Sequence, residues 1–116
     1  MAQPTASAPL PAAQAKTLAE LVNYADGAIV SRTLMQSAAG TLTLFAFDAG
    51  QGLSRHAAPF DAMVQVLEGE VDLIVGEQPV PATAGQVVPM PANVPHEIVP
   101  AGRFKMLLTM FKAQRA

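Results

Sequence analysis

The sequence predicts an all-β domain folded as an antiparallel sandwich or barrel. Short apolar runs recur along the chain, separated by Gly, Pro or Asp at the spacing of about 8–12 residues that is typical of these folds. Two runs, residues 41–47 and 104–111, are apolar in both phases of the strand alternation, which predicts burial on both faces. Such strands need a second layer of structure, supplied by the other sheet with the N-terminal segment or by a partner subunit.

Composition narrows the classes of function. The 116 residues can form one domain with a single core, and the absence of Cys excludes disulfides, Cys-ligated zinc and thiol catalysis. A net charge of −2 with scattered Lys and Arg argues against a nucleic-acid surface. No run reaches the roughly 20 apolar residues that span a bilayer, and the N-terminus lacks the pattern of a secretory signal. We therefore expect a cytoplasmic protein without a membrane partner.

The first part of the chain divides into a leader and a short helical turn. Residues 1–15 are uncharged and show no periodic pattern, which predicts a flexible leader followed by one domain over residues 16–116. Leu18, Leu21 and Val22 follow helical spacing, so they predict a short amphipathic turn that the next Asp-Gly pair ends.

A spaced motif marks the second half of the chain. Gly85 is followed by Pro91, Asn93 and His96 at the spacing of the second motif of the cupin superfamily, which this segment resembles. Asn93 stands where that motif usually has Gly. Because Asn is the non-glycine residue best suited to a left-handed backbone, we expect the turn to be retained.

An earlier segment resembles the first cupin motif, which has two His, a Glu and a Gly at fixed spacing. Counting back from Gly69 places Ala62 at the Glu position, Ala58 at the second His and His56 at the first. Two of the three ligands in this motif are therefore alanine. Together with His96, the resemblance implies a four-ligand metal site of which two ligands remain.

The resemblance covers most of residues 16–112 and implies a small RmlC-like cupin. Its fold is expected to be a double-stranded β-helix, the cupin jelly-roll barrel, with a short N-terminal helical turn. Only 14% of the residues are charged and 51% are hydrophobic, which leaves little polar surface for a lone monomer. We expect a homodimer that forms through the N-terminal strands or through a sheet face.

The two remaining histidines make a metal site incomplete. His56 and His96 alone would hold Zn, Fe, Mn or Ni weakly, because such sites generally use three or more protein ligands. If Ala62 faces the barrel interior, strand alternation turns the neighbouring carboxylate of Asp61 away from it. Glu68 lies beside a turn and is expected to remain in water.

Replacement of a His and a Glu by Ala predicts a wider, more apolar pocket that suits a small, largely apolar ligand. The residues expected to line it are His56, Ala58, Ala62, Val64, Val66 and His96. Long side chains could instead fill this space as ordinary core, and the candidates are Met63, Met90, Met106 and Met110.

Three functions stay open at this point. The first is a binding module in which the two histidines anchor a small molecule, with or without a weakly held divalent metal. The second is a metal-dependent enzyme of the dioxygenase or isomerase type, with an open two-histidine site. The third is a scaffold that uses the barrel only for protein interactions. The sequence does not decide whether the protein is an enzyme.

Overall fold

The computed structural model describes residues 5–6 and 10–113, in which ten strands form two sheets and a single 3₁₀ turn precedes the main strands. The strands are β1 (Thr5–Ala6), β2 (Ile29–Gln36), β3 (Gly40–Phe47), β4 (Leu53–His56), β5 (Phe60–Glu68), β6 (Glu70–Val75), β7 (Gln78–Thr83), β8 (Val87–Met90), β9 (His96–Pro100) and β10 (Phe104–Lys112). The 3₁₀ turn spans Leu18–Leu21. No helix in the described part of the chain is long and apolar enough to cross a membrane.

The two sheets have the strand orders β1-β2-β3-β10-β5-β8 and β4-β9-β6-β7. Neighbouring strands are antiparallel except for β1, which pairs in parallel with β2. This jelly-roll arrangement confirms the predicted all-β barrel, including the short N-terminal helical turn.

Strands β3 and β10 are buried on both faces, as their sequences predicted. Phe47, Phe104 and Met106 are fully buried in the core between the two sheets. Leu44 and Ala46 are fully buried on the opposite, outer face of the six-stranded sheet. The six-stranded sheet therefore needs cover on its outer face as well as its inner one.

The N-terminal segment supplies part of that outer cover. Leu18 and Leu21 of the 3₁₀ turn pack against the buried outer cluster, and Val22 belongs to it with only 3% exposure. Thr5–Ala6 extend the sheet edge as β1. Residues 1–4 and 7–9 of the predicted leader lie outside the described residues, so its flexibility stays a prediction.

Two charged side chains hold the N-terminal segment on the sheet through hydrogen bonds. The buried ammonium of Lys105 donates a 2.6 Å hydrogen bond to the carbonyl of Ala19, and Arg32 Nη1 donates to the carbonyl of Leu21 at 3.2 Å. Both carbonyls belong to the 3₁₀ turn, where the last carbonyls lack partners within the helix. The charged side chains therefore replace water at these carbonyls.

Tyr24 makes a third contact between the N-terminal segment and the sheet. It belongs to a cluster of charged side chains that the sequence did not reveal. Its hydroxyl donates to Glu68 Oε1 at 2.9 Å, and its ring lies about 5 Å from both Arg103 and Lys105, at 5.1 and 5.0 Å. Burial, followed by the bond to Glu68, raises the pKa of Tyr24 to about 12. Glu68, which was expected to remain in water, is thus only half-exposed and is engaged in this cluster.

The substitution Lys105→Met tests whether the hydrogen bond from Lys105 to the Ala19 carbonyl stabilises the fold. Methionine keeps the packing of the lysine stem but leaves the Ala19 carbonyl without its charged donor, so we expect the free energy of unfolding to fall by about 1–3 kcal/mol. Urea denaturation measures the loss. Lys112→Met, at an exposed position of the same strand, is the matched control and should change stability little. Equal effects of both substitutions would contradict the assigned role.

Asp48 makes stability depend on pH. Its Oδ2 accepts the Gly27 amide at 2.6 Å and its Oδ1 accepts Arg103 Nε at 2.8 Å. The Gly27 N–H and then Arg103 hold the pKa of the Asp48 carboxyl below its ordinary value of 3.8. A depressed carboxyl pKa stabilises the fold above the unfolded pKa, and the contribution disappears as the pH falls through the folded pKa.

The substitution Asp48→Asn should therefore lower the free energy of unfolding at pH 7 and at pH 5, but by progressively less below about pH 4, where the wild-type carboxyl itself becomes protonated. Urea denaturation of both proteins at pH 7, 5 and 3 measures the difference. A difference that is unchanged at pH 3 would show that the ionised carboxyl is not its source.

Candidate functional site

A β-bulge turns His56 toward the inner face of the four-stranded sheet, where it remains exposed at the end of β4. Leu53 pairs with Ile98 and His56 pairs with His96, with a register irregularity between the two pairs. Directly opposed residues on paired strands point to the same side of a sheet, and Ile98 lies in the inner core. The bulge therefore places Leu53 and His56, three residues apart, on the same inner face, where regular alternation would separate them.

The turn before β9 fixes the direction of His96. Asn93 has φ of 66°, the left-handed backbone predicted for this position. Its amide donates to the carbonyl of Ala58 at 2.8 Å, and the neighbouring Ala92 amide donates to Asp61 Oδ1 at 3.0 Å. The Asp61 carboxylate therefore holds the turn that leads into His96.

His56 and His96 form a close imidazole pair. Their ring centroids are 4.4 Å apart and the rings meet edge to face at 69°. His56 Nδ1 lies 2.8 Å from the carbonyl oxygen of Ser54, and His96 Nδ1 lies 3.3 Å from that of Val94. A carbonyl oxygen only accepts, so each Nδ1 carries the hydrogen and each neutral ring has its lone pair on Nε2. Neither Nε2 has a hydrogen-bond partner among the described residues.

Burial keeps the inner imidazole of the pair neutral. His96 is 8% exposed, whereas His56 is exposed. Burial is the largest cause that lowers the pKa of His96; the Val94 carbonyl opposes it, and the neighbouring His56 lowers the pKa further. Near neutral pH, His96 Nε2 is therefore a hydrogen-bond acceptor rather than a donor.

The predicted pocket residues of β5 face inward. Ala62 is 9% exposed, and Val64 and Val66 are fully buried in the inner core, in the orientation that strand alternation predicted. Ala58 lies in the β4–β5 connection and is partly exposed. Whether these residues line a ligand pocket stays a prediction. Met63 faces outward at 37% exposure, so it does not fill the interior as the core alternative suggested.

Methionine side chains occupy much of the space beneath the imidazole pair. Met90 and Met106 are buried in the same core as Val64 and Val66, and Met110 packs against that core from β10. The deep interior is thus closely packed. The His56–His96 pair and Ala62 lie toward one end of the barrel, which is termed the barrel mouth below.

Thr41 is a further polar group that sequence reasoning missed. It lies in the same strand phase as Phe45 and Phe47, and it pairs with Met110, which pairs in turn with Ala62. Its hydroxyl is buried and has no hydrogen-bond partner among the described residues. Only the register of three strands places it near the mouth, and no local motif marks it.

The stacking of the sheets places Thr41 on the His56 side of the mouth. Strand β7 contacts β5 and β8, so the four-stranded sheet extends from there over β10 and β3 with β4 at its far edge. His56 ends β4, and Thr41 begins β3 at the same end of the barrel.

The donor set does not fit the four-ligand metal site that the cupin resemblance implies. Among the described residues, no three His, Asp or Glu side chains come together in a way that could hold a metal ion. Ala58 and Ala62 offer no donor atom, and Asp61 is bonded to the turn. The two imidazoles are therefore the side-chain ligands that the described residues offer at this place.

Comparison with known families identifies the class of protein. The sequence profile of the cupin domain matches residues 43–110, more than half of the chain. The chain belongs to the cupin family. No curated protein matches the sequence.

Solved structures support this assignment over nearly the whole chain. The conserved SPY1581 protein of unknown function from Streptococcus pyogenes is 31% identical with a TM-score of 0.85, and the match covers 93% of this chain and 95% of that one. A cupin superfamily protein from Desulfitobacterium hafniense is 28% identical, also with a TM-score of 0.85, over 91% and 97% of the two chains. A cupin 2 conserved barrel domain protein from Leptotrichia buccalis is 39% identical with a TM-score of 0.77, over 81% of this chain and 46% of that one.

Substitution of Asp61 tests how the turn before His96 is held. Asp61→Ala removes the acceptor of the Ala92 amide, so we expect a loss of about 1–2 kcal/mol in the free energy of unfolding and faster hydrogen exchange at Ala92. Asp61→Asn keeps an acceptor oxygen and should preserve most of both. Asp72→Ala, an exposed position on β6, is the control. Slow exchange at Ala92 in the Asp61→Ala protein would contradict the proposed bond.

Proposed function

We propose that this cupin binds a small, largely apolar molecule at the barrel mouth, with His56 and His96 as its polar anchors. The observation that carries the proposal is the imidazole pair itself, 4.4 Å between ring centroids, with both Nδ1 atoms held by backbone carbonyls. This arrangement orients two rings whose Nε2 atoms have no partner among the described residues. Oriented acceptors beside apolar residues are typical of small-molecule sites.

The chemistry of the mouth indicates what the molecule carries. A neutral His96 accepts a hydrogen bond, so the ligand needs an O–H or N–H donor. Ala58 and Ala62 bring neither charge nor bulk, which is compatible with an apolar body. A small alcohol or phenol fits this description.

The proposal includes at most a weakly held divalent metal. Two imidazoles supply fewer ligands than zinc or non-haem iron sites generally use. One observation nevertheless favours a second candidate function, a metal-dependent enzyme with an open site: the Nδ1-to-carbonyl hydrogen bonds are the orienting contacts that metal-binding histidines commonly make. Metal content separates the two candidates.

Phenol is a suitable probe for the binding function because it joins an apolar ring to one hydroxyl donor. We expect phenol to shift the imidazole NMR signals in a saturable way, and His96→Ala to weaken its affinity about tenfold, the factor that corresponds to the loss of one hydrogen bond. Arg55→Ala is the control, since Arg55 is exposed and bonds to the Gly76 carbonyl. Absent binding, or equal binding by wild type and the His56→Ala/His96→Ala double variant, would contradict the proposal and favour a scaffold.

Elemental analysis of protein purified without chelator tests the metal. We expect less than one equivalent, because only two protein ligands are present. A stoichiometric metal that is lost in both His56→Ala and His96→Ala would overturn the binding-module proposal in favour of the enzyme.

A further inference from the structure

The Asp26-Gly27 pair, which follows the 3₁₀ turn, has a reactivity that the proposed function does not use. In the sequence it is the one place where Asp or Asn precedes Gly. In such a pair the backbone nitrogen of Gly can attack the side-chain carboxyl carbon, because Gly has no Cβ to hinder the approach. The side chain of Asp26 is 100% exposed, so water reaches it freely. The pair therefore has the composition and the water access that aspartate isomerisation needs.

The two residues form the centre of a tight turn that opposes this attack. The Ala28 amide donates to the Ala25 carbonyl at 3.1 Å, which closes a β-turn around Asp26 and Gly27. Gly27 has φ of 65° and Asp26 is not among the residues with positive φ, as in a type II turn. The second residue of such a turn has ψ of about +120°, which directs the following nitrogen away from its own side chain. Attack therefore requires that the peptide unit between Asp26 and Gly27 rotate.

Asp48 holds this peptide unit in place. Its Oδ2 accepts the Gly27 amide at 2.6 Å, and its own amide donates to the Ala28 carbonyl at 3.1 Å. Arg103 connects the two carboxylates, since its Nε donates to Asp48 Oδ1 at 2.8 Å and its Nη2 lies 3.3 Å from Asp26 Oδ1. The attacking N–H and the carboxyl group it would attack are thus each bonded to a distant part of the chain.

We propose that Asp26-Gly27 is a site of spontaneous covalent modification, at which the main chain isomerises to an isoaspartyl linkage when the turn opens, and that Asp48 restrains the reaction. First the Gly27 nitrogen bonds to Asp26 Cγ, and the amide proton leaves with the carboxyl hydroxyl as water, which closes a succinimide ring. Water then adds to the main-chain carbonyl carbon of Asp26, whose bond to the Gly27 nitrogen breaks as that nitrogen takes up a proton. One water is lost and one is gained, so no other reactant is needed.

The modification acts on the attachment of the N-terminal segment. An isoaspartyl linkage runs through Asp26 Cγ and lengthens the main chain by one methylene, which displaces the Gly27 amide from Asp48. Tyr24 lies two residues before the turn, and its ring is 5.1 Å from the Arg103 guanidinium. Isomerisation therefore loosens the contact of Tyr24 with the sheet, because Arg103 loses the turn that it helps to hold.

Prolonged incubation of the folded protein, followed by peptide mass spectrometry, tests the proposal. The isomer has unchanged mass, so it is measured by electron-transfer fragmentation and by resistance to the protease Asp-N. We expect Asp48→Ala to form isoaspartate at position 26 about tenfold faster than wild type, because loss of a hydrogen bond to a charged group raises the population of the open turn by that order. Asp48→Asn keeps an acceptor oxygen, so its rate should lie between the two.

Two further variants make the result specific. Asp26→Glu keeps the charge but would need a six-membered ring, so it should remain unmodified at this position. Asp61→Ala weakens a turn elsewhere in the fold, and its rate should equal that of wild type, because the reaction follows local opening of the Asp26-Gly27 turn. Circular dichroism establishes that every variant is folded during the incubation.

Three outcomes would overturn the proposal. The first is equal rates of isoaspartate formation in wild type and in both Asp48 variants. The second is equal acceleration by Asp48→Ala and Asp61→Ala, which would make global unfolding the route. The third is absence of isoaspartate from the folded Asp48→Ala protein over a time in which wild type unfolded in urea forms it.

Discussion

Double burial of β3 and β10 is the constraint on which the rest of the structure depends. These central strands carry apolar side chains on both faces, so each face of their sheet needs a cover. The four-stranded sheet covers the inner face, and that stacking carries β4 and β9 over the larger sheet. The outer face receives the N-terminal segment, and the buried cluster beneath it extends from β2 to Leu67 of β5. The candidate site and the packing of the N-terminal segment are thus two consequences of one requirement.

The few charged side chains act mainly through hydrogen bonds that hold the layers and turns of the fold together. Lys105 and Arg32 hold the N-terminal segment at its own backbone carbonyls, while Asp61 and Asp48 hold turns through amides. Buried and half-buried hydrogen bonds of this kind stabilise because the alternative is an unsatisfied polar group. At the barrel mouth, by contrast, the two Nε2 atoms have no hydrogen-bond partner among the described residues. Alanines stand at two positions of the cupin metal motif, and no third ligand from the described part of the chain completes the imidazole pair as a metal site.

Much of the fold followed from the sequence because period-two alternation and turn chemistry are local. The inward phase of Ala62, Val64 and Val66 and the left-handed backbone at Asn93, φ 66°, were both predicted in this way. The bulge before His56 was not, since no local pattern distinguishes it from regular alternation. The contact of Lys105 with Ala19 and the orphaned hydroxyl of Thr41 depend on distant parts of the chain meeting, which only the folded structure shows. The sequence could name the two histidines but not the orientation of their rings.

The central claim is that the imidazole pair is an oriented acceptor site with a neutral inner ring. Long-range ¹H–¹⁵N correlation NMR measures it directly, because the chain has two histidines and one substitution assigns both. At pH 8 both rings should carry hydrogen on Nδ1 with a bare Nε2, and His96 should titrate below its ordinary pKa of 6.5. A proton on Nε2 of either ring, or a His96 that is charged at pH 7, would contradict the account.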